Sequence, residues 1–596
     1  MTSNVTLNKL VEEWLRLDQN DDTRKDIETL VSHNNTAELE KRMRKRIEFG
    51  TAGLRGKMEA GWSRMNDLIV IQASQGLCAY VLQNVKDAPS RGVVVGHDHR
   101  HHSQRWAQLT AAAFLANNVK VYLYTGLVHT PMVPFGVKTL NAACGVMITA
   151  SHNPKQDNGY KVYWENAVQI ISPHDVGIAA AIQENLKPVT WDVSTLQTSP
   201  LCIDRTSELV QAYLTKLATL RSQRIQSTKR PLEFINTSMH GVSDVFMQKA
   251  FSVYGFPPYT PVKEQQSPDP EFPTVKFPNP EEKGALDLAI STADAEGGDY
   301  VLAQDPDSDR FSAAEKRPDG KWIQFTGDQL GALFASAVLQ KYKASGKSLN
   351  KMAMVASTVS SKMVEAMAAA EGFKFVECLT GFKFIGNTAL NLVDEGYDVP
   401  FGYEEAIGYM FGSVVRDKDG VAASMMFVEL VAALHEEGKT ASGHLQELYS
   451  RYGFFQTSNS YFVCTDPPTI DKIFTRIRNY DGSGTTTSPH YPNTLAGLNI
   501  TSVRDLTIGY DSTNPPTYKP SLPLSSGHMI QFRAASENGA TKITLTTRTS
   551  GTEPKIKYYL EGSGKDAGAV QDVLRHVVSE LTQDWMESEK NGLGIP

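Results

Sequence analysis

Short apolar runs that alternate with helical stretches recur along the chain and constrain its fold more than any other feature. Residues 91–96 predict a buried strand, residues 104–117 a helix after it, and residues 119–123 a second strand. Comparable apolar runs begin at Leu232, Tyr300 and Met352. This alternation is typical of α/β domains, in which helices cover the faces of a sheet. We therefore expect three successive α/β domains, with boundaries near residues 205, 325 and 455.

The size and charge of the chain limit its class. Its 596 residues are too many for one hydrophobic core, so roughly three to five domains are expected. The 59 basic and 66 acidic residues give a net charge of −7 without a long basic run. This balance suggests neither a nucleic-acid nor an anionic-membrane partner.

Cysteine usage and the N-terminus indicate a compartment. The five cysteines are scattered and lack C-x-x-C spacing, which argues against disulfides or zinc and favours a reducing environment. The first residues, to about 48, predict charged amphipathic helices rather than a signal peptide. No run of about 18 apolar residues occurs, so no membrane span is expected. We therefore expect a cytoplasmic protein.

Three polar loops contain the candidate chemistry. The first, residues 149–154, follows an apolar run and should expose Ser151 on a loop whose N–H groups can face an anion. The second, residues 305–310, places carboxylates at alternate positions beside a guanidinium, and such hard oxygen ligands suit Mg²⁺. The third, residues 548–554, presents hydroxyls, a glycine and an arginine. Together the loops predict a phosphoserine, its metal ion and a phosphate clamp.

Other interpretations of these loops fit less well. No G-x-S-x-G motif surrounds Ser151, which disfavours an acyl hydrolase, and His152, as its neighbour on a loop, is expected to point away. An EF-hand would need glycine at Arg310 and an acidic ligand at Lys316. A haloacid-dehalogenase-type phosphatase, with its D-x-D-x-T motif, would need threonine at Asp309.

Two further segments have unusual composition. The run His97–His102 tempts a zinc assignment, yet consecutive residues in a turn seldom converge on one ion, so we expect no metal site there. Residues 257–280 contain eight prolines and predict an extended loop within the second domain.

Five motifs in a fixed order give the chain a family resemblance. They are residues 49–56, the serine loop (residues 149–154), the Asp-x-Asp-x-Asp or Asp loop (residues 305–310), the sugar loop (Gly402–Gly408) and the Arg-Thr-Ser-Gly-Thr-Glu-Pro loop (residues 548–554). With them the chain resembles the α-D-phosphohexomutase superfamily, most closely its phosphoglucomutase-2/phosphopentomutase branch. The resemblance runs from about residue 45 to the C-terminus. It implies that the proline-rich loop is ordered and that Asp98 and Arg100 have structural roles.

The resemblance implies a fold and a domain plan. The fold would have three similar mixed-sheet α/β domains and a smaller C-terminal α+β domain around a central active-site cleft. The expected domains are an N-terminal extension with the phosphoserine domain (1–205), a metal-loop domain (206–325), a sugar-loop domain (326–455) and a phosphate-binding domain (456–596).

The resemblance also implies an activity. The chain would be an intramolecular phosphotransferase that interconverts sugar 1-phosphates with 5- or 6-phosphates through phosphoserine and a bound bisphosphate. Ribose and deoxyribose 1-phosphates would be the first substrates, and glucose 1-phosphate a slower one. Two alternatives stay open: a glucose 1,6-bisphosphate synthase on the same fold, and a catalytically silent sugar-phosphate sensor.

Roles follow from the resemblance residue by residue. Ser151 would accept and donate the phosphate, with His152 in support, and Arg310 would stabilise the transferring group. Lys161, its charged form disfavoured near a dication, would exchange a proton with a sugar hydroxyl. One Mg²⁺ would be bound by Ser151, Asp305, Asp307 and Asp309, and a sugar bisphosphate would act as activator. The expected substrate contacts are Arg55, Thr380, Lys383, Glu404, Ala406, Lys418, Arg548, Ser550, Gly551 and Thr552.

The sugar loop departs from the hexose pattern. Hexose members of the family commonly have Gly-Glu-x-Ser, whereas here Glu404 is followed two residues later by Ala406. No histidine occurs between Gly402 and Gly420, although some bacterial members have one there. The missing hydroxyl puts hexose specificity in doubt and favours a pentose.

Overall fold

The computed structural model describes residues 6–51, 53–221, 230–483, 489–550 and 554–595. The chain forms two compact units. The first comprises Met1–Ala356 and Gly381–Ala441, and the second comprises Ser357–Thr380 and Ser442–Pro596. Every helix in the described ranges is too short or too polar to span a membrane.

Three helices precede the first sheet: α1 (Leu7–Leu17), α2 (Asp21–Ser32) and α3 (Thr36–Met43). The side chain of Asn20 caps α2 by accepting hydrogen bonds from the N–H groups of Asp22 and Thr23. Trp14 on α1 is fully buried and meets Trp62 edge-on, with ring centroids 4.9 Å apart. The predicted helical extension is therefore confirmed, and its apolar face joins the core of the first sheet.

The first sheet belongs to the segment that contains the serine loop. Its elements are β1 (Leu54–Lys57), α4 (Asp67–Asn84), α5 (Ala88–Arg91), β2 (Val93–His97), α6 (Ser103–Leu115), β3 (Val121–Leu123), α7 (Met132–Leu140), β4 (Cys144–Ile148), β5 (Asp157–Tyr163), α8 (His174–Glu184), α9 (Thr195–Thr198), β6 (Cys202–Ile203) and α10 (Thr206–Ala218). The strand order is β1-β5-β4-β2-β3-β6, with β1 and β5 antiparallel to their neighbours. The parallel strands β2 and β4 are buried throughout, as helix-covered parallel strands are.

The second sheet contains the Asp loop. Its elements are β7 (Phe234–Thr237), α11 (Ser243–Tyr254), β8 (Thr260–Pro261), α12 (Lys263–Gln266), α13 (Asp287–Glu296), β9 (Tyr300–Gln304), β10 (Phe311–Lys316) and β11 (Trp322–Gln324). The order is β11-β10-β9-β7-β8. Strands β9 and β10 form an antiparallel hairpin with Gln304 opposite Phe311, so the Asp loop is the hairpin connection.

The third region contains the sugar loop. Its elements are α14 (Gly327–Ala344), a 3₁₀ turn (Leu349–Lys351), β12 (Met352–Ser357), α15 (Met363–Glu371), β13 (Lys374–Cys378), α16 (Phe382–Asp394), β14 (Asp398–Glu404), β15 (Gly408–Phe411) and α17 (Gly420–Glu436). Strand β12 runs parallel to β14, and β14 pairs antiparallel with β15, so the sugar loop is again a hairpin connection. Helix α15 and strand β13 belong to the second unit.

The C-terminal region is an antiparallel sheet with helices. Its elements are α18 (Ala441–Tyr452), β16 (Phe454–Thr457), β17 (Ser460–Val463), α19 (Pro467–Arg478), β18 (Thr494–Leu495), β19 (Leu498–Asp505), β20 (Tyr510–Asp511), β21 (Met529–Ala535), β22 (Thr541–Thr549), β23 (Lys555–Gly564), α20 (Ala567–Glu580) and a π-helical turn (Leu581–Trp585). Glu377 on β13 joins this sheet through Arg504 at 3.0 Å and Arg533 at 3.5 Å.

The predicted fold class is confirmed. Three mixed-sheet α/β regions are followed by a C-terminal α+β region. The domain boundaries near residues 205, 325 and 455 stay predictions.

The N-terminal helices should contribute to stability. Trp14→Ala removes a fully buried indole and should lower the free energy of unfolding of the first unit by about 3–5 kcal/mol. Urea denaturation followed by circular dichroism measures the change. Val31→Ala, at a side chain 44% exposed, is the control and should change it by less than about 0.5 kcal/mol. Equal values for the two variants would show that α1 lies outside the cooperative core.

Candidate active site

Ser151 lies in the loop after β4, and its backbone is left-handed, with φ 53°. Its hydroxyl donates to Asp305 Oδ2 at 2.9 Å and lies 3.2 Å from His152 Nδ1. Two expectations were wrong: Ser151 is only 3% exposed, and His152 points toward it. The left-handed residue explains the second difference, because it interrupts the alternation of side chains found in extended backbone.

Arg100 holds the serine loop in place. Its guanidinium donates to the backbone carbonyls of Ser151 and Asn153, both at 2.6 Å. It also donates to the carbonyls of Pro154 at 2.9 Å and Asp157 at 3.2 Å. One planar fork of donors therefore fixes four points of the loop backbone.

The proline-rich segment is an ordered loop that packs on the histidine run. Phe272 is buried with its ring centroid 5.0 Å from the Arg100 guanidinium. Glu271 accepts from Lys155 at 2.7 Å and lies 2.6 Å from His101 Nε2. The loop thus covers the guanidinium that positions Ser151.

Three carboxylates are fully buried in the connection between β9 and β10. Asp305, Asp307 and Asp309 each place one oxygen within 4.8 Å of the others. Asp305 Oδ1 accepts from the N–H of Arg310 at 3.0 Å. Among the described residues, Asp307 Oδ1 and Asp309 Oδ1 have no hydrogen-bond partner. Buried carboxylate oxygens without partners, beside a third carboxylate, fit a hard divalent cation.

The carboxylates shift one another's pKa values. Burial and the charges of Asp307 and Asp309 raise the pKa of Asp305 well above its usual value. Burial alone would also raise the pKa of Asp307, but Lys161 and the hydrogen bonds that Asp307 accepts hold it below the ordinary value. A bound dication would relieve the repulsion within the trio.

Lys161 lies within β5, opposite Met147 of β4. Its ammonium donates to Asp307 Oδ2 at 2.7 Å and to Asp309 Oδ2 at 2.9 Å. Burial would lower the pKa of Lys161, but the two carboxylates outweigh it and raise the pKa. The expectation that a neighbouring dication disfavours the charged form of Lys161 stays a prediction.

The sugar loop faces the same cluster. Arg310 Nη1 donates to the backbone carbonyl of Ala406 at 2.7 Å. Lys418 Nζ lies 3.2 Å from Asp309 Oδ2, so its charge already has a partner within the protein. Glu404, at the end of β14, is buried, and burial raises its pKa although Lys418 and Arg310 oppose the shift.

Two further predicted contacts lie in the first unit. Arg55 on β1 is exposed and donates to Asn153 Oδ1 at 3.2 Å, beside the serine loop. Lys383 on α16 donates to the hydroxyl of Thr51. Arg55 therefore links the first predicted motif to the serine loop, and Lys383 contacts the same motif through Thr51.

The remaining predicted residues belong to the second unit. Thr380 follows β13, and Arg548 on β22 donates to the hydroxyl of Tyr559 at 2.9 Å. The N–H of Ser550 donates to the carbonyl of Lys555 at 3.0 Å. Gly551 and Thr552 lie outside the described residues.

The structural role expected for Arg100 is confirmed by its bonds to the serine loop. Sequence reasoning missed Thr130, which belongs to none of the predicted motifs. Thr130 Oγ1 donates to Asp307 Oδ2 at 2.6 Å across a sequence separation of 177 residues. Local patterns contain no signal for a pairing at that distance.

Three domain families match consecutive parts of the chain. Domain I of phosphoglucomutase/phosphomannomutase, an alpha/beta/alpha domain, matches residues 46–188. Domain II matches residues 211–320, and domain III matches residues 326–452. Together they cover more than half of the chain.

Similar proteins extend over nearly the whole chain. A Schizosaccharomyces pombe protein named "Probable phosphoribomutase" is 46% identical, over 99% of this chain and 99% of its own. Homo sapiens phosphopentomutase is 43% identical, over 98% and 97%. Homo sapiens glucose 1,6-bisphosphate synthase is also 43% identical, over 99% and 96%. Parafusin, a phosphoglucomutase from Paramecium solved in an open form, has a similar fold, with a TM-score of 0.64 and 19% identity over 92% of this chain and 96% of that one.

The hold of Arg100 on the serine loop can be tested directly. Arg100→Lys cannot reach four carbonyls with one amine, so amide hydrogen exchange in residues 150–157 should accelerate about tenfold, the equivalent of one charge-assisted hydrogen bond. Mass spectrometry of exchanged peptides measures this. Arg91→Lys is the matched control, because Arg91 also donates to backbone carbonyls, those of Asn141 and Ala142, away from the serine loop. Unchanged exchange in Arg100→Lys would contradict the assignment.

Proposed function

The chain belongs to the phosphoglucomutase/phosphomannomutase family of the α-D-phosphohexomutase superfamily and is a phosphosugar mutase, and we propose that it prefers pentose 1-phosphates. It would interconvert ribose or deoxyribose 1-phosphate with the 5-phosphate, and glucose 1-phosphate with the 6-phosphate more slowly. One observation above all supports the mechanism. The Ser151 hydroxyl lies 2.9 Å from Asp305, beside buried carboxylate oxygens that lack partners in the described chain.

Ser151 is proposed to transfer the phosphoryl group as phosphoserine. A hydroxyl oxygen of the bound sugar phosphate would attack the phosphorus while the bond to Ser151 Oγ breaks, giving a sugar bisphosphate and the Ser151 alkoxide. After the bisphosphate reorients, its other phosphoryl group would return to Ser151. Such transfers depend on positioning, and the four carbonyls fixed by Arg100 support that requirement.

Asp305, Asp307 and Asp309, with an oxygen on Ser151, are proposed to bind one Mg²⁺. The unpartnered Oδ1 atoms of Asp307 and Asp309 support the assignment. The bound ion would supply positive charge against the three carboxylates and the phosphoryl oxygens.

Lys161 is proposed to take the proton of the attacking hydroxyl and return it in the second half-reaction. Asp307 and Asp309 raise the pKa of Lys161, and neutralisation of those carboxylates would lower it toward the range of a useful base. Arg310 would stabilise negative charge on the transferring group. His152, 3.2 Å from Ser151 Oγ, would orient the hydroxyl.

Substrate recognition is proposed for two sets of residues. The first set would contact the sugar phosphate through side chains of the sugar loop and its surroundings: Arg55, Thr380, Lys383, Glu404, Ala406 and Lys418. The second set would bind phosphate through a guanidinium, hydroxyls and a glycine: Arg548, Ser550, Gly551 and Thr552. The phosphate-binding role of this second set is carried over from the family resemblance.

A glucose 1,6-bisphosphate synthase is the second candidate. The human enzyme of that name is 43% identical to this chain, the same value as human phosphopentomutase. In that reaction an acyl phosphate would transfer its phosphoryl group to Ser151, releasing a carboxylate, and Ser151 would pass it to a hexose 1-phosphate.

For the mutase we propose that a sugar bisphosphate acts as activator. We also propose a cytoplasmic location, which the scattered cysteines support.

One experiment separates the two candidates. Purified protein is assayed with ribose 1-phosphate and a trace of glucose 1,6-bisphosphate, and in parallel with glucose 1-phosphate and an acyl phosphate donor. A mutase converts the first mixture and releases no net bisphosphate. Net bisphosphate formation that depends on the acyl phosphate, without conversion of ribose 1-phosphate, would replace the mutase by the synthase.

Ser151→Ala should abolish turnover without unfolding the chain. The variant lacks the oxygen that bears the phosphate, so kcat should fall by at least about a thousandfold. Labelled glucose 1,6-bisphosphate should phosphorylate the wild type but not the variant, and circular dichroism should be unchanged. Ser90→Ala, at an exposed serine of the same region, is the control. Near-normal turnover in Ser151→Ala would refute the phosphoserine mechanism.

The pentose preference has its own test. Wild-type kcat/KM should be higher for ribose 1-phosphate than for glucose 1-phosphate. Ala406→Ser restores one neutral hydrogen bond, worth about 0.5–1.5 kcal/mol, so it should raise kcat/KM for glucose 1-phosphate by at most about tenfold without reversing the preference. A wild type that favours glucose 1-phosphate by about tenfold would overturn the pentose assignment and leave the mutase standing.

A further inference from the structure

Thr130 contacts the Asp loop although it belongs to none of the sequence motifs. It belongs to the connection between β3 and α7, and its side chain is fully buried. Two of its atoms contact Asp307. The N–H donates to the Asp307 carbonyl at 2.9 Å, and Oγ1 donates to Asp307 Oδ2 at 2.6 Å.

The second of these bonds decides which oxygen of Asp307 is available. Oδ2 accepts from Thr130 at 2.6 Å and from Lys161 at 2.7 Å, so its lone pairs are occupied. Oδ1 is buried without a partner among the described residues. A cation in the trio would therefore meet Oδ1, with the carboxylate already turned to present it.

Asp309 also has one carboxylate oxygen with partners and one without, but its partners are charged. Its Oδ2 atom accepts from Lys161 at 2.9 Å and lies 3.2 Å from Lys418, while its Oδ1 atom has no hydrogen-bond partner in the described ranges. Among the described donors to the Oδ2 atoms of Asp307 and Asp309, Lys161 and Lys418 are thus charged, whereas Thr130 is neutral. Its removal changes the orientation of a carboxylate without changing the charge of the site.

The main chain that contains Thr130 is held in place by the packing of His129 and by a hydrogen bond from α7. His129 is fully buried, with ring centroids 4.1 Å from Phe246 and 5.0 Å from Tyr213. The carbonyl of Thr130 accepts from the N–H of Val133 in α7 at 3.1 Å. Since the main chain is fixed on both sides, the hydroxyl can hold Asp307 instead of following it.

We propose that Thr130 is a positioning residue for the metal site: its hydroxyl occupies Asp307 Oδ2 and thereby directs Oδ1 to the divalent cation. This inference rests on the metal assignment of the proposed function. Hydrogen-bonded partners of metal-binding carboxylates typically change metal affinity by about 10–100-fold when removed. An effect of that size is expected for the loss of the Thr130 hydroxyl.

Direct binding of Mn²⁺, titrated by electron paramagnetic resonance without substrate, gives the test. Thr130→Val keeps the shape but removes the donor, and its Kd for Mn²⁺ should rise by about tenfold or more. Thr130→Ser keeps the hydroxyl and should stay within about threefold of the wild type. Turnover of Thr130→Val at saturating Mg²⁺ should recover most of the wild-type rate.

A matched control separates positioning from packing. Thr110 is also fully buried, and its hydroxyl donates to the Trp106 carbonyl at 2.8 Å within α6. Thr110→Val should therefore leave the Kd for Mn²⁺ unchanged. If Thr130→Val does not fold, Thr130→Ala and Thr130→Ser make the same comparison, with only the alanine variant expected to lose affinity.

The outcomes separate the positioning role of Thr130 from the metal assignment. A wild-type Kd in Thr130→Val, or equal losses in the valine and serine variants, would overturn the positioning role and leave the mutase intact. A wild type that binds no Mn²⁺ would overturn the metal assignment itself, and the role of Thr130 with it.

Discussion

Three carboxylates buried within 4.8 Å of one another are the constraint on which the first unit depends. Burial of a charge costs several kcal/mol unless it is paired, and like charges at this spacing repel. The compensating donors come from separate elements: Lys161 from β5, Lys418 from the segment before α17, and the N–H of Arg310. The sheets must therefore end at one place, and this convergence also brings Ser151 beside Asp305.

The elements that converge on the Asp loop bring their backbones very close to the backbone of that loop. A Cβ atom at Gly420 would lie 2.3 Å from the carbonyl oxygen of Arg310, so any larger residue at the start of α17 would displace the Asp loop. Gly241 makes a similar approach on the other side, where a Cβ would lie 2.4 Å from the main chain of Pro306. Glycine at these two positions lets helices from different regions pack directly on the loop.

The cations near the Asp loop already have partners within the protein. Lys418 pairs with Asp309, and Arg310 donates to the carbonyl of Ala406. Groups fixed in this way need little reorganisation when charge develops on a substrate, which is how preorganised sites stabilise transition states. The contact of Arg310 with a backbone carbonyl also means that residue 406 contributes to the site whatever its side chain. The side chain at residue 406 would then influence the proposed sugar contact without disturbing the bond that holds Arg310.

The sequence by itself determined the α/β class, the order of the loops and the grouping of Asp305, Asp307 and Asp309 in one cluster. Strands, loops and carboxylates at alternate positions are local patterns, so they can be recognised without the fold. Only the tertiary structure decided how those residues are used. The direction of the His152 side chain depends on the left-handed backbone of Ser151. The bonds that join Arg100 to the serine loop and Thr130 to Asp307 connect distant segments. Such pairings leave no periodic trace in the chain, because they arise only when separate sheets pack together.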